Sequence, residues 1–391
     1  MGKLKVLVCP MDWGLGHASR CIPVINAFRD AGCRVVVASS GPGAGLIRRE
    51  YKLCDSEGPG FPGRRGDGHD GAAGNDWLEI IPFPGFSVSY SRHFLFLRLL
   101  IQVPAFLYHI YRERVLAGRL VRKAGPDIIV SDNRYGLVHK SVPSVIITHQ
   151  LRPSLPACLR PFEWLVSRVV RHWIRSFDEC WIPDCRNDPA AGSLAGGWDR
   201  LPAAYFIGWI SRFAPLKGTA SGYRYKLMFL LSGPEPQRSM LEDMIIEGMK
   251  GRDVRALLVR GLPDVPVEWE KRGGLEIVSF LDSADISRFA LLSELMVCRS
   301  GYSSVMDLLV MGKGAVLVPT PGQTEQEYLG RWLSRKGWFR VVKQKDLDVG
   351  LLAGMEELQA PGYMMGADML RERVAAMVKK MKERKRDVNG T

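Results

Sequence analysis

The 391-residue chain has no paired cysteines: its eight are scattered singly, without a C-x-x-C spacing, and Cys180 and Cys185 have no histidine at ligand distance in sequence. A disulfide scaffold and a zinc module are therefore excluded, and reduced thiols are expected. A cleavable leader pattern is lacking too, since Lys3–Cys9 is a short strand with charged flanks, so a cytoplasmic protein is expected. The longest apolar run, Phe94–Tyr111, is broken by Arg98, Gln102, Pro104 and His109. A guanidinium near a bilayer centre costs about 3 kcal/mol or more, which argues against a membrane span. No sequence repeat links the two halves. Acids are scarce relative to bases, giving a net charge of +13, and anionic lipid, nucleic acid or nucleotide phosphates would each answer that excess. Nucleic acid fits least well. The most basic stretch, Arg371–Arg386, carries eight bases and two acids but no interleaved aromatic residues for base stacking.

What is present is an α/β alternation. LKVLVC (4–9) reads as a buried strand, a Gly-x-Gly turn follows at Gly14 and Gly16, apolar residues at helical spacing run to Gly32, and 33–39 return as a strand. This βαβ opening predicts a parallel sheet with right-handed crossovers. A dinucleotide site does not follow, because the third glycine of G-x-G-x-x-G is missing and the second strand ends Ser39-Ser40-Gly41 with no acid for a ribose. Further strands are expected at 77–82, 127–130 and 144–148, with 179–182 closing the first sheet. Residues 55–76, rich in Gly, Asp and Arg, read as a mobile loop. The organisation expected is a first domain over 1–207, a linker at 208–223, a second domain over 224–366 with strands from 225, 255, 275 and 339, and a basic helix and tail at 367–391.

Two places carry chemistry. Cys298–Tyr328 reads as strand, turn, helix and strand, and its turn holds Ser300, Gly301, Ser303 and Ser304. Small residues let backbone N–H groups approach a phosphate, and the helix that starts there points its positive end at the same spot. Asp307, about one turn on, suits a ribose diol, while Gln323, Glu325 and Gln326 suit sugar hydroxyls. The second place pairs His17, after the first strand, with Asp132, at the end of the 127–130 strand. Open α/β sheets put ligands at such carboxyl ends. A carboxylate on one imidazole nitrogen fixes the tautomer and makes the other nitrogen a base. Read singly, His17 could equally pack at a helix start and Asp132 cap a turn. His149, ending the 144–148 strand, is either a site residue or a cap.

The 298–328 residues resemble the donor-binding half of the MurG-like glycosyltransferases. That resemblance implies the GT-B fold, two Rossmann-like doubly wound domains facing across a cleft. It implies diphosphate at the Ser-Gly turn, ribose at Asp307 (where the family usually has Glu), donor sugar at Gln326, and a Gly/Ser loop matching Ser232 and Gly233. It further implies uracil at Phe280, His17 as base oriented by Asp132, His149 near the acceptor, and a last helix that crosses back to the first domain. Pro234 and Pro236 remove N–H donors from the Gly/Ser loop.

The expectation is an inverting, metal-independent transfer of a hexose or N-acetylhexosamine from a UDP-sugar to a hydroxyl acceptor, lipid-linked or not. The UDP-sugar is a co-substrate and no cofactor is implied. A UDP-sugar epimerase or a non-catalytic UDP-sugar-binding subunit are the alternatives. Asp346-Leu347-Asp348 spells D-x-D but sits where a helix cap is expected, so it is not taken as a metal site. Between Ser91 and Lys123 seven bases face one acid in an apolar, aromatic context, which reads either as an interfacial helix pair on anionic lipid or as a cover on the sheet.

Overall fold

The computed structural model describes residues 3–12, 14–53, 76–83, 95–216, 222–359 and 367–389; the expected loop at 55–76 lies, Asp76 apart, outside them. The first sheet comprises β1 (Lys5–Cys9), β2 (Arg34–Ala38), β3 (Leu78–Ile81), β4 (Ile128–Asp132), β5 (Ser144–Ile147), β6 (Glu179–Ile182) and β7 (Ala204–Phe206). All its strands are parallel, in the order β3-β2-β1-β4-β5-β6-β7. Val6, Val8, Val35, Val37, Ile128 and Val130 are fully buried, because a parallel sheet covered by helices on both faces needs apolar side chains on both. The second sheet comprises β8 (Tyr225–Leu230), β9 (Ala256–Val259), β10 (Trp269–Arg272), β11 (Leu275–Val278), β12 (Ser293–Cys298), β13 (Ala315–Leu317) and β14 (Arg340–Val341), in the order β10-β11-β9-β8-β12-β13-β14.

Only β10 runs antiparallel among these pairings. Without it the second sheet repeats the order of the first six strands of the first sheet, with no counterpart of β7. Each sheet reverses its strand order once, between β1 and β4 and between β8 and β12, and crevices open beyond the carboxyl ends at such points. Two edge strands depart from the sequence expectation. β7 adds a strand beyond β6, in a stretch too short and too exposed to show a period. β10 is wholly exposed and folds onto β11 through Gly273-Gly274, a hairpin signal.

The helices are α1 (Leu15–Asp30), α2 (Gly41–Glu50), α3 (Leu95–Ala124), α4 (Glu163–Ile174), α5 (Gln237–Met249), α6 (Ser283–Leu291), α7 (Tyr302–Met311), α8 (Thr324–Arg335), α9 (Val349–Ala353) and α10 (Ala367–Asn389). The expected helix pair over 91–123 is instead one 30-residue helix with Pro104 inside it. No glycine or turn residue follows that proline closely, so the helix resumes after the lost hydrogen bond. Among the described residues no helix is long and apolar enough to cross a membrane. Asp348 caps α9, accepting from Gly350 N at 2.7 Å.

The last helix closes the first domain. Leu370, Val374, Met377, Val378 and Met381 lie on one stripe and are buried in the cluster that holds Val6, Ile25 and Ile128. Arg373 pairs with Glu179, Lys385 with Asp127 at 2.6 Å, so part of the tail's positive charge is spent on acids of the first domain. The segment expected to link the domains is not a free tether: Trp209, Ile210 and Phe213 are buried, and Trp209 Nε1 donates to Asp184 at 3.1 Å. Replacing Met377 by Ala should cost about 2–5 kcal/mol of stability, while Lys380→Ala on the exposed face stays within about 0.5 kcal/mol; urea unfolding of the two variants checks this.

Candidate active site

Gly14, with φ of 76°, turns the chain from β1 into α1, and His17 falls in the first turn of that helix. Asp132 is the last residue of β4, the neighbour of β1, so the reversal of strand order brings the two together. His17 Nδ1 lies 2.7 Å from Asp132 Oδ2. Asp132 is completely buried, and a carboxylate there must be paired. Its second oxygen accepts from Arg20 Nε at 2.7 Å. Nothing in the sequence pattern singles out Arg20 except its place three residues after His17, on the same helical face.

Arg20 carries the network across the cleft. Its Nη1 lies 3.2 Å from His149 Nδ1, just beyond β5, and His149 Nε2 lies 2.9 Å from Glu325 Oε1 at the start of α8. A guanidinium only donates, so His149 Nδ1 accepts and its proton sits on Nε2, facing the Glu325 carboxylate. Gln150 also donates to Glu325. Arg20 Nη2 approaches His17 Nδ1 to 2.7 Å. That nitrogen cannot both accept from Arg20 and donate to Asp132. The ionised Asp132 favours Nδ1–H, which leaves Nε2 as the free base and Arg20 as a close positive neighbour.

The electrostatics follow. Burial pushes the His17 imidazole below its ordinary value, Arg20 adds to this, and Asp132 opposes it. Burial works against ionised Asp132, yet Arg20 and His17 hold its carboxyl below the ordinary range. The same balance applies to Glu325, where His149 and then Arg20 overcome burial. His17 is thus neutral, Asp132 and Glu325 ionised.

Across the cleft, β12 runs through Ser300 into α7, with Gly301 as the N-cap. A Cβ added at Gly301 would meet nothing closer than 3.9 Å and φ is −68°, so the protein's own packing does not demand glycine; the room lies at the helix's positive end. Ser303 Oγ donates to Gly16 O at 2.8 Å, so α1 and α7 meet amino end to amino end. Ser304 stands half-buried in the same turn. Ser300 is fully buried and its hydroxyl donates inward to Gln326 O at 2.9 Å. Gln326 folds back on its loop: Oε1 accepts from Thr320 N at 2.9 Å and Nε2 donates to Gln323 Oε1 at 2.5 Å. Ser232 and Gly233, the latter with φ of 108°, follow β8 on the other side of the second reversal point.

Four further residues had no role in the sequence pattern or make contacts it did not show. Tyr302, an aromatic in a run of small residues, stacks on His149 at 3.7 Å between ring centroids and 5° between planes, and its hydroxyl donates to Pro183 O. The resemblance implies uracil at Phe280, held by backbone and stacking; the ring is buried in the first domain's cluster with the Arg49 guanidinium 5.2 Å above it. Arg49 is held there by the carbonyls of Pro263 and Val265, so this ring face is taken up by the domain contact. Asp307 Oδ1 accepts from Ser211 Oγ at 2.5 Å, and burial pushes its carboxyl up to about 6 against the pull of Arg212. Arg212 itself is 9% exposed, and its buried Nε and Nη1 have no hydrogen-bond partner among the described residues. A cleft of about 290 Å³ lies behind this segment, between α1 and the start of α10, and none of the expected site residues lines it.

Two doubly wound sheets with their reversal points facing each other form the GT-B frame of glycosyltransferases. Solved structures of that class superpose along nearly the whole chain: Arabidopsis thaliana UGT89C1 complexed with UDP-L-rhamnose (TM-score 0.57, 11% identity, 97% of this chain and 100% of that one) and the glycosyltransferase SnogD from Streptomyces nogalater (TM-score 0.52, 14% identity, 98% and 96%). Residues 263–385 match the glycosyltransferase family 28 C-terminal domain. The UDP-N-acetylglucosamine–N-acetylmuramyl-(pentapeptide) pyrophosphoryl-undecaprenol N-acetylglucosamine transferase of Nitratidesulfovibrio vulgaris (strain DP4) is 25% identical over 205 residues, 43% of this chain and 56% of that protein. The match thus spans little more than half the length of this relative.

Because the folded His17 binds its proton more weakly than the unfolded one, the unfolded chain gains protons first as pH falls through the ordinary imidazole range. This group therefore costs stability on acidification. By NMR titration, with His17→Gln for assignment, the His17 resonance should titrate below its ordinary value, and Arg20→Met should move it upward.

Proposed function

We propose that the protein is an inverting glycosyltransferase that moves a hexose or N-acetylhexosamine from a UDP-sugar to a hydroxyl acceptor. The observation that carries this is the His17–Asp132 pair at one reversal point, set against the amino end of α7 at the other. His17 Nε2 takes the acceptor's proton as the acceptor oxygen bonds to the anomeric carbon from the face opposite the leaving group. The bond from that carbon to the diphosphate oxygen breaks, and UDP leaves with the electron pair. Backbone N–H groups at Ser300–Ser304 and the α7 dipole stabilise the departing charge, so the reading needs no metal. The imidazolium that forms is held by Asp132. Asp307 accepts from the ribose hydroxyls in place of Ser211, and the Arg212 guanidinium beside it, whose Nε makes no hydrogen bond and whose Nη1 lies 3.8 Å from Glu50, donates to the same nucleotide. Glu325 and Gln326 take the donor sugar, with His149 on the acceptor side.

A lipid-linked acceptor and a place on the cytoplasmic face of a membrane belong to this reading. The Nitratidesulfovibrio relative is named for an undecaprenol-linked acceptor. Here Leu107, Tyr108, Tyr111 and Val115 of α3 are exposed, as are Trp164, Leu165 and Val169 of α4, with Arg112, Arg114 and Arg168 among them. Phe106 and Trp173 touch edge to face, so the two helices form one apolar and cationic surface.

Calorimetry with UDP, UDP-glucose, UDP-N-acetylglucosamine, TDP and GDP in EDTA should show preference for uridine nucleotides. Asp307→Ala should weaken UDP binding by about 1–3 kcal/mol. Normal UDP affinity in that variant would remove the ribose assignment. UDP-sugar affinity should also fall as pH drops through about 6, where the Asp307 carboxyl gains a proton and loses its charge. His17→Ala should bind UDP like the wild type yet lose turnover; full transfer rate would place the base elsewhere.

A further inference from the structure

The carboxyl end of α2 reaches over to the second domain at three places. Arg49 donates from Nε to Pro263 O at 2.5 Å and from Nη2 to Val265 O at 2.6 Å, both in the loop between β9 and β10. Its guanidinium stands 5.2 Å over the ring of Phe280, just beyond β11. Glu50 Oε2 accepts from Ser283 Oγ, at the start of α6, at 2.7 Å, and lies 3.8 Å from Arg212 Nη1. One turn earlier, Gly45 passes so close to the same β9–β10 loop that a Cβ there would lie 2.2 Å from Asp264 Oδ1. Gly45 and Arg49 are four residues apart, so a single face of the helix makes the contact. Leu46 and Ile47 point the other way, into the core of the first domain, so α2 moves with that domain.

These contacts cover the groups that a nucleotide needs, and each resembles the one it stands in for. A flat base stacked on Phe280 would centre roughly 4.5–7 Å from the ring, the place that the flat Arg49 guanidinium holds. Both cannot be there. Glu50 sets an anion before Arg212, the cation beside Asp307, where oxygens of a nucleotide would otherwise face it. At 3.8 Å it makes no hydrogen bond to that guanidinium, and Arg212 Nε has no partner among the described residues, so a closer acceptor would replace it. Arg49 and Glu50 are themselves only half-buried, and their bonds to the second domain are polar ones that water can take over.

We propose that the carboxyl end of α2 plugs the donor site, Arg49 in the place of the base and Glu50 before Arg212. A UDP-sugar then binds only once α2, and the domain that carries it, has moved off these loops. The proposal rests on the UDP-sugar reading of the cleft. It makes a prediction of unusual sign. The apparent affinity of a site that is open part of the time falls with the open fraction, so weakening the plug tightens donor binding, whereas removing a residue that holds the donor loosens it.

The test is calorimetry of the full chain with UDP. Arg49→Ala should bind UDP about three- to tenfold more tightly than the wild type. Arg48→Ala, which removes the same charge from the exposed neighbouring position, should stay within about twofold of it. A second arm holds the plug shut. A Cβ at Gly45 would lie 3.8 Å from Pro263 Cβ, a separation that a disulfide spans, so Gly45→Cys/Pro263→Cys can be bridged by oxidation. The oxidised variant should lose UDP binding and regain it in dithiothreitol, to which the wild type should be indifferent. Unchanged or weaker UDP binding by Arg49→Ala, with the wild type binding, overturns the plug and leaves the UDP reading standing. Equal UDP affinity of the bridged and reduced forms overturns it as well. UDP binding that appears only in Arg49→Ala supports it outright. No UDP binding by the wild type, by Arg49→Ala or by the reduced cysteine variant removes the donor reading itself, and the plug with it.

Discussion

A carboxylate with no access to water, Asp132, sets the terms for everything around it. Its charge survives burial because Arg20 and His17 divide its two oxygens between them. Those two bonds fix the ring of His17, choose which nitrogen carries its proton and direct the other outward. They also anchor the guanidinium from which the contact to His149, and through it to Glu325 of the second domain, extends. Remove the carboxylate and the Arg20 guanidinium would lose its direct acceptor in a dry site, with only Glu325, beyond His149, left to oppose it. Retain it, and a single buried anion organises side chains from four separate stretches of chain.

The second domain is organised differently, by backbone. Ser300 and Gln326 spend their side chains on the loops that carry them, and what the turn offers outward is peptide N–H and the end of a helix. The two halves of the cleft therefore differ in emphasis: a histidine–carboxylate pair on one side, and on the other backbone dipoles with the carboxylates of Asp307 and Glu325 beside them. Ser303, bonded to the Gly16 carbonyl, is where they touch.

The architecture was legible because parallel strands buried on both faces read as plain apolar runs, and because Gly14, Gly301 and the serines beside it punctuate them. The His17–Asp132 pairing was legible from topology, since Asp132 ends β4 and His17 opens the helix that follows β1, at the carboxyl ends of neighbouring strands. Edge strands were not: Ala204–Phe206 and Trp269–Arg272 are short and solvent-facing, so they carry no burial pattern, although Gly273-Gly274 marked the second. The helix pair expected over 91–123 is one continuous helix, because no turn signal separates its two halves. Arg20, Tyr302 and Arg212 matter through partners far away in the chain, in one case across the cleft, and a linear pattern holds no trace of such partners. At Phe280 the residue type suits a base, but the ring is covered by Arg49, a contact that a linear pattern does not show.

The returning helix has a consequence in time. Val374, Met377 and Met381 complete a hydrophobic core whose other members, such as Val6 and Ile25, leave the ribosome far earlier. At synthesis rates of about 5–20 residues per second, the first sheet waits on the order of ten seconds for the helix that seals it. During that interval an apolar stripe of the nascent first domain stays open to whatever else is nearby. The wait makes this stripe a natural point of contact for chaperones, and makes a chain interrupted before Leu370 one that quality control can recognise by its unfinished surface.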